Sequence, residues 1–201
     1  MEQTITQLSE LNLDGVYSYA DYLRWQLKER IELIKGKIFR MSPAPTFHHQ
    51  KISSILHGHL FVYLRKGPCE LLSAPFDVRL PDKSRSASEH QDVYTVVQPD
   101  ICVICDRSKI DQRGCVGAPD LIVEILSPGN SKKEMKIKYA LYEENGVREY
   151  WVVYPSEQSL FQFVRNEAGR YELKAVFAED EVFEAHIFPG LWIDLAEVFA
   201  E

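Results

Sequence analysis

Pro119-Asp120-Leu121-Ile122-Val123-Glu124-Ile125-Leu126 is the stretch on which the reading of this chain turns. It is a nearly unbroken aliphatic and β-branched run, the pattern of a strand buried in a central sheet. One ionisable group, Glu124, sits in its middle. A similar run precedes it, Val97-Gln98-Pro99-Asp100-Ile101-Cys102-Val103-Ile104, and carries Asp100. An ionised carboxylate in such a place is costly unless it is paired, hydrogen-bonded or bound to a metal. Along the later strand, Asp120, Ile122, Glu124 and Leu126 point one way and Leu121, Val123 and Ile125 the other, while Asp100 shares a face with Cys102 and Ile104. If the two strands are neighbours, Asp100 and Glu124 converge and can seat one divalent cation on oxygen ligands. That arrangement points to metal-assisted hydrolysis, of a phosphodiester first of all.

Working outward, residues 131–145 read as a helix stopped at Gly146. At about 100° per residue, Met135, Tyr139, Leu141 and Tyr142 form its apolar arc, and Lys138 falls inside that arc. Lys132, Lys133 and Lys136 fall on the solvated side. Two readings of Lys138 stand: its stem snorkels to water, or its ammonium meets buried carboxylates and stabilises the attacking water or the transition state. Glu32 lies on an early hairpin, Ile31–Ile34 with Lys37–Met41, turning at Lys35-Gly36. From phase alone it is equally a solvent-facing residue of that hairpin.

The remaining pattern is mixed. Ser18 to Asp21 reads as a capping box opening a helix to about Arg30. A second helix spans about Phe47 to Arg65, with Ile52, Ile55, Leu56 and Leu60 as its apolar side. Residues 69–80 read as a strand interrupted by Pro75, 81–92 as a polar loop, 93–105 as one central strand and 106–117 as a charged connection. Residues 149–154 form a third hydrophobic strand, 160–164 and 171–176 a second hairpin, and the tail a short strand with a last helical turn. No repeat or linker interrupts the chain, so it reads as one α/β domain over residues 1–201 with a mixed sheet, residues 1–15 being a flexible N-terminus.

The chain has 201 residues, 45% hydrophobic and 26% charged, which suits a globular protein with a full core. No apolar run reaches the ~20 residues needed to cross a bilayer, and residues 1–15 hold no signal-peptide core; a cytoplasmic protein is expected. The net charge of −7 counts against strong non-specific binding of nucleic acid, which rests on Lys and Arg at phosphates. It leaves room for a local basic cleft or for a metal that supplies positive charge. Cys102 and Cys105 form C-x-x-C, but three positions along a strand put them on opposite faces, and no second pair completes a zinc site. With Cys69 and Cys115 they read as buried structural thiols.

Of the histidines, His49 and His57 lie only loosely on one helical face and His57 and His59 diverge, so they read as no metal cluster. Asp120 reads as a strand terminator or an extra ligand. Ser127 lacks the G-x-S-x-G turn of a serine hydrolase, and no P-loop or dinucleotide fingerprint is present.

Several segments taken together resemble the Uma2 family (the DUF820 group) of the PD-(D/E)xK restriction-endonuclease-like superfamily, from about Tyr19 to Phe199. They are residues 32–38, 41–45 with His49-Gln50, 97–100, 117–128, 138–142 and 146–152. The resemblance implies a restriction-endonuclease-like α/β core, a mixed central sheet flanked by helices with added hairpins. It also implies a Mg²⁺- or Mn²⁺-dependent nuclease acting on nucleic acid, DNA first, and a homodimer, since two sites are needed to cut two strands. By motif, Asp100 matches the Asp of PD, Glu124 the acidic residue of the (D/E)xK step, and Glu32 the superfamily's first acidic position, assisting the metal directly or through water. The chain departs from the motif at Leu126, where a lysine belongs, and Lys138 looks like its migrated replacement. His49 matches a family position and is expected to line the cleft. Residues 160–176 and 188–192 are expected to offer apolar surface to a partner copy.

Two other readings remain open. One is a binding module that keeps the fold without turnover, favoured by Leu126 and the acidic balance. The other is a hydrolase of a small phosphoester.

Overall fold

Two six-stranded sheets share the chain in a computed structural model that describes residues 4–41, 44–81, 93–127 and 132–200, the side chains of 132 and 133 excepted. The expectations for residues 82–92 and 128–131, and for the Lys132 and Lys133 side chains, lie outside the described residues. The elements are α1 (Tyr19–Tyr22), β1 (Ile31–Ile34), β2 (Lys37–Arg40), α2 (Phe47–Leu64), β3 (Glu70–Ser73), β4 (Val78–Arg79), β5 (Val96–Val97), β6 (Ile101–Ile104), β7 (Ile110–Asp111) and β8 (Gly114–Val116). They continue with β9 (Leu121–Ile125), α3 (Lys132–Asn145), β10 (Glu149–Tyr154), β11 (Ser159–Arg165), β12 (Tyr171–Ala178), β13 (Val182–Glu184), β14 (Trp192–Asp194) and α4 (Leu195–Phe199).

The central sheet runs β12-β11-β10-β9-β6-β3, and the side sheet β2-β1-β5-β4-β8-β7. All neighbours in the central sheet are antiparallel except β9 and β10, which are parallel and joined by α3. A parallel pair needs such a crossover, and Gly146 at φ 94° ends the helix in the left-handed conformation that glycine accepts most readily.

The expected alternation of faces is what packs the sheet. Leu121, Val123 and Ile125 join Ile101, Val103 and Trp151 against α2 and the tail. Ile122 joins Cys102, Ile104, Tyr150 and Val152 against the side sheet and α3. Glu124 lies on the strand between Val123 and Ile125, on the face of Ile122, and so looks toward α3. The α2 stripe is Ile52, Leu56, Leu60 and Leu64, all buried.

Several elements differ from expectation. The first helix keeps its capping box (Ser18 with Asp21) but ends at Tyr22. Residues 26 and 28–30 are polar and exposed, so no apolar face sustains a longer helix. The single strand expected over 69–80 is two strands in two sheets, β3 and β4, divided at a cis Ala74–Pro75 peptide. The strand expected over 93–105 likewise divides into β5 in the side sheet and β6 in the central one, with Gln98-Pro99-Asp100 between them. The charged connection at 106–117 contains the β7–β8 hairpin. The β1–β2 hairpin turns at Lys35-Gly36 as expected, with φ 51° and 78°, the two-residue turn that matches strand twist. The N-terminal segment carries a 3-10 turn at Leu8–Glu10, and its Leu8 and Leu11 pack on Ile31.

The cysteine expectation is corrected in part. Cys102 and Cys115 are buried free thiols, but Cys69 and Cys105 form a disulfide across the ends of β3 and β6. The pairing of β3 with β6 (Glu70 opposite Ile104) brings the two together, a register that sequence spacing does not disclose. No helix among the described residues is long and apolar enough to cross a membrane.

Candidate active site

Asp100 stands where the chain passes from the side sheet into the central one. The β6–β9 register pairs Ile101 with Val123, and the Asp100 carboxylate accepts the Ile125 amide (Oδ2, 2.7 Å). Asp100, Glu124, Glu32 and Lys138 therefore line one cleft. The early hairpin contributes Glu32, the β5–β6 connection Asp100, β9 Glu124, and the crossover helix the lysine.

Lys138 bridges two of the carboxylates. Its Nζ donates to Glu124 Oε1 at 2.9 Å and to Glu32 Oε1 at 3.1 Å. Burial opposes the charged ammonium, but Glu124 and then Glu32 outweigh it and hold the Lys138 pKa above the ordinary lysine value. The two carboxylates thus favour the charged ammonium. Glu124 responds oppositely. Burial raises its pKa; Lys138 opposes this, while Asp100 and Glu32 add to it. The Tyr142 hydroxyl also donates to Glu124 Oε1, at 2.6 Å.

His49 enters from the first turn of α2, which Thr46 caps by accepting the His49 amide (3.2 Å). Its Nε2 lies 3.4 Å from Asp100 Oδ2. Burial disfavours the imidazolium, yet the hydrogen bond and charge of Asp100, the Ile125 backbone and Glu124 raise the His49 pKa above its ordinary value. Its Nδ1 is buried without a hydrogen-bond partner among the described residues.

Two participants went unread in the sequence. Tyr142 passed as an apolar residue, although it follows Lys138 by four and so shares its helical face. Gln98 holds Glu32 in place: its amide donates to Glu32 Oε1 (2.9 Å), its side-chain NH₂ to Asp77 (2.8 Å), and its carbonyl accepts from Arg30 (2.8 Å). Its position two residues before Asp100 was the available signal. Other candidates lie elsewhere. Asp120 accepts the Cys105 amide at 2.8 Å and Arg148 at 3.1 Å, a structural role at the far end of β9. His57 meets Ser73, and His59 meets Glu197.

The donor set suits a hard cation. Asp100 Oδ1, Glu124 Oε2 and Glu32 Oε2 make no hydrogen bond among the described residues, and the only side-chain cations these three carboxylates meet directly among those residues are Lys138 and His49, while Glu134, Arg30 and Arg40 also line the cleft. Among the described residues no three His, Cys, Asp or Glu side chains are gathered at metal-binding distance, so protein ligands from Asp100 and Glu124 would be completed by water, a coordination Mg²⁺ commonly accepts.

A family model described as "Putative restriction endonuclease", Uma2, matches residues 19–196. The chain belongs to the Uma2 family. An uncharacterized protein of Synechocystis sp. is 25% identical to this Uma2 chain over 185 residues, covering 84% of it and 92% of the relative. A crystal structure described as a "putative nuclease belonging to DUF820", from Anabaena variabilis, superposes on the Uma2 chain with a TM-score of 0.68 at 21% identity, covering 92% of this chain and 98% of that one. The fold is thus that of the DUF820 protein, and the restriction-endonuclease-like α/β core expected from the sequence is the one observed.

Proposed function

We propose that the cleft hydrolyses phosphodiester bonds of nucleic acid, DNA first, with Mg²⁺ or Mn²⁺ held by Asp100 and Glu124. When bound, the ion supplies an activated water and neutralises charge on the phosphate. Asp100 is oriented by the Ile125 amide and by His49. Lys138 stays charged and faces the developing negative charge on the phosphate, the kind of preorganised cation that lowers such barriers. Glu32, itself held by the Gln98 amide, positions Lys138 and would assist the ion directly or through water. The observation that carries this reading is the 2.9 Å contact of Lys138 with Glu124, which supports a lysine reaching the site from α3 while Leu126 stands where the motif lysine would be.

A homodimer accompanies the reading, since one site cuts one strand. Leu160, Phe188 and Leu191 belong to the core, so within residues 160–176 and 188–192 the large apolar side chains open to a partner copy are Leu173, Val176 and Trp192, while Phe47, Phe61, Val62 and Val182 are exposed elsewhere. The rival reading is a binding module without turnover. Leu126 favours it, as does a Lys138 already engaged by two carboxylates.

The test is cleavage of supercoiled plasmid and of single-stranded DNA with Mn²⁺ or Mg²⁺, comparing wild type with Asp100→Ala and Lys138→Ala, with Mn²⁺ affinity measured by calorimetry alongside. Metal-dependent cleavage lost in both variants, with Mn²⁺ binding lost only in Asp100→Ala, supports the reading. A folded wild type that binds DNA and never cleaves it leaves the binding module.

A further inference from the structure

Beside the cleft a groove runs between the β1–β2 hairpin and α3. Ile34, Phe39 and Ile137 supply apolar lining, and Lys35, Lys37 and Lys136 supply charge. Ile34 and Phe39 also line the cleft, so the groove and the site share a wall. The chain carries a net charge of −7, which makes three exposed lysines around one apolar groove a local reversal of sign. Lys136 has no side-chain partner among the described residues. Lys35 pairs with Glu144 at 3.0 Å, but the two side chains are 68% and 46% exposed, and such a surface pair is readily exchanged for a phosphate. Lys37 donates to the Asp14 and Gly15 carbonyls, which fixes its ammonium at the rim.

An apolar floor with a cationic rim suits an unstacked base and the phosphates on either side of it. Duplex DNA keeps its bases stacked inside and offers such a floor nothing to bury. Among the described residues the groove lining holds no carboxylate, amide or hydroxyl side chain. It therefore has no side-chain acceptor for the proton of a ribose 2′-hydroxyl, the group by which proteins tell RNA from DNA, and leaving that proton unpaired against an apolar floor is unfavourable.

We propose that this groove binds single-stranded DNA, with one base against Phe39 and Ile137 and the phosphates on Lys35, Lys37 and Lys136, leading the strand into the Asp100–Glu124–Lys138 cleft. The proposal deepens the nuclease reading and rests on it for what happens in the cleft, but its test does not depend on turnover.

The test is fluorescence anisotropy with a labelled oligothymidylate, with Ca²⁺ present to screen the cleft carboxylates. Wild type binds the single strand at least about tenfold more tightly than a duplex or an oligouridylate of the same length. Phe39→Ala weakens binding about tenfold, the range of one lost base–aromatic stack. Lys136→Ala lowers the slope of log affinity against log salt by about 0.7, the value for one phosphate contact on a single strand. Lys174→Ala, on β12, removes the same charge and leaves the slope unchanged. Because Phe39 also packs on the core, Ala140→Glu serves as a second probe at an exposed helical position lining the groove, and it weakens binding about tenfold in a protein with an unaltered melting curve. Failure of wild type to bind oligothymidylate overturns the proposal, as does wild-type binding by Ala140→Glu and Lys136→Ala. Equal affinity for the duplex or for oligouridylate overturns it too. Binding that depends on the groove in a chain that never cleaves upholds the groove and overturns the nuclease reading; cleavage with groove variants that bind normally does the reverse.

Discussion

Lys138 Nζ stands between Glu124 Oε1 and Glu32 Oε1, at 2.9 and 3.1 Å, so one ammonium serves two carboxylates. The side chains are 18%, 11% and 5% exposed, which keeps solvent from replacing the lysine. Lys138→Met keeps most of the stem and removes the charge. Breaking a buried pair from one side leaves carboxylates uncompensated, so stability falls by about 3 kcal/mol. Urea denaturation of wild type and variant checks this, and an unchanged midpoint would show that water reaches the pair after all. On the nuclease reading, cleavage falls about a hundredfold in the same variant.

Glu124 and His49 set the pH dependence of the metal-free protein. Burial, against the opposing effect of Lys138, pushes the Glu124 carboxyl from 4.5 up to about 7. A folded-state pKa above the unfolded one means that the folded chain binds the extra proton. The stabilisation is complete below 4.5 and lost as pH rises through about 7. The raised pKa of His49 acts with the same sign, its ion pair with Asp100 fading as pH climbs past that value. Urea midpoints measured across this window decline in wild type. Glu124→Gln flattens the decline, and Glu124→Gln with His49→Gln removes most of what is left.

The disulfide between Cys69 and Cys105 closes a loop across a sequence separation of 36. A loop of that length contributes about 4 kcal/mol by restricting the unfolded chain. Cys105→Ser, or reduction, lowers the denaturation free energy by about that amount. Cys102 and Cys115 are buried, and burial pushes the Cys115 thiol up to about 12 and Cys102 higher still. A thiol reagent added to the folded, unreduced protein therefore labels neither at an appreciable rate, and both react on unfolding.

Glu149 is fully buried and satisfied by four donors. Trp151 Nε1 and Gln162 Nε2 each lie at 2.7 Å, the Ile187 amide at 2.8 Å and the His186 amide at 3.1 Å. It ties the tail segment to β10, away from the cleft. Glu149→Ala strands those donors and lowers stability by about 3 kcal/mol. The affinity of the folded protein for Mn²⁺ stays at the wild-type value; a matching loss of affinity would mean that the tail helps to shape the cleft.

Much of this was legible in local pattern. The strand at 121–125, the crossover helix with Lys138 on its inner face, the tight turn at Lys35-Gly36 and the alternation placing Glu124 and Asp100 on one face all follow from side-chain period and turn chemistry. They hold because each depends on residues a few positions apart. The first helix was overread because a capping box signals a start, whereas length depends on an apolar face that residues 26 and 28–30 do not supply. Pro75 was visible as an interruption while 93–105 read as one strand straight through Pro99, and that the chain changes sheets at each proline was not visible.

What the sequence by itself determined is therefore the inventory: two carboxylates on buried strands, an inward lysine and an acidic hairpin residue. What only the tertiary structure decided is their meeting. Lys138 and Glu32 are 106 positions apart, Gln98 and Glu32 are 66 apart, and the Cys69–Cys105 disulfide depends on β3 pairing with β6. Such contacts are set by which strands become neighbours and in what register. That is a property of the whole packed core, and no local period encodes it.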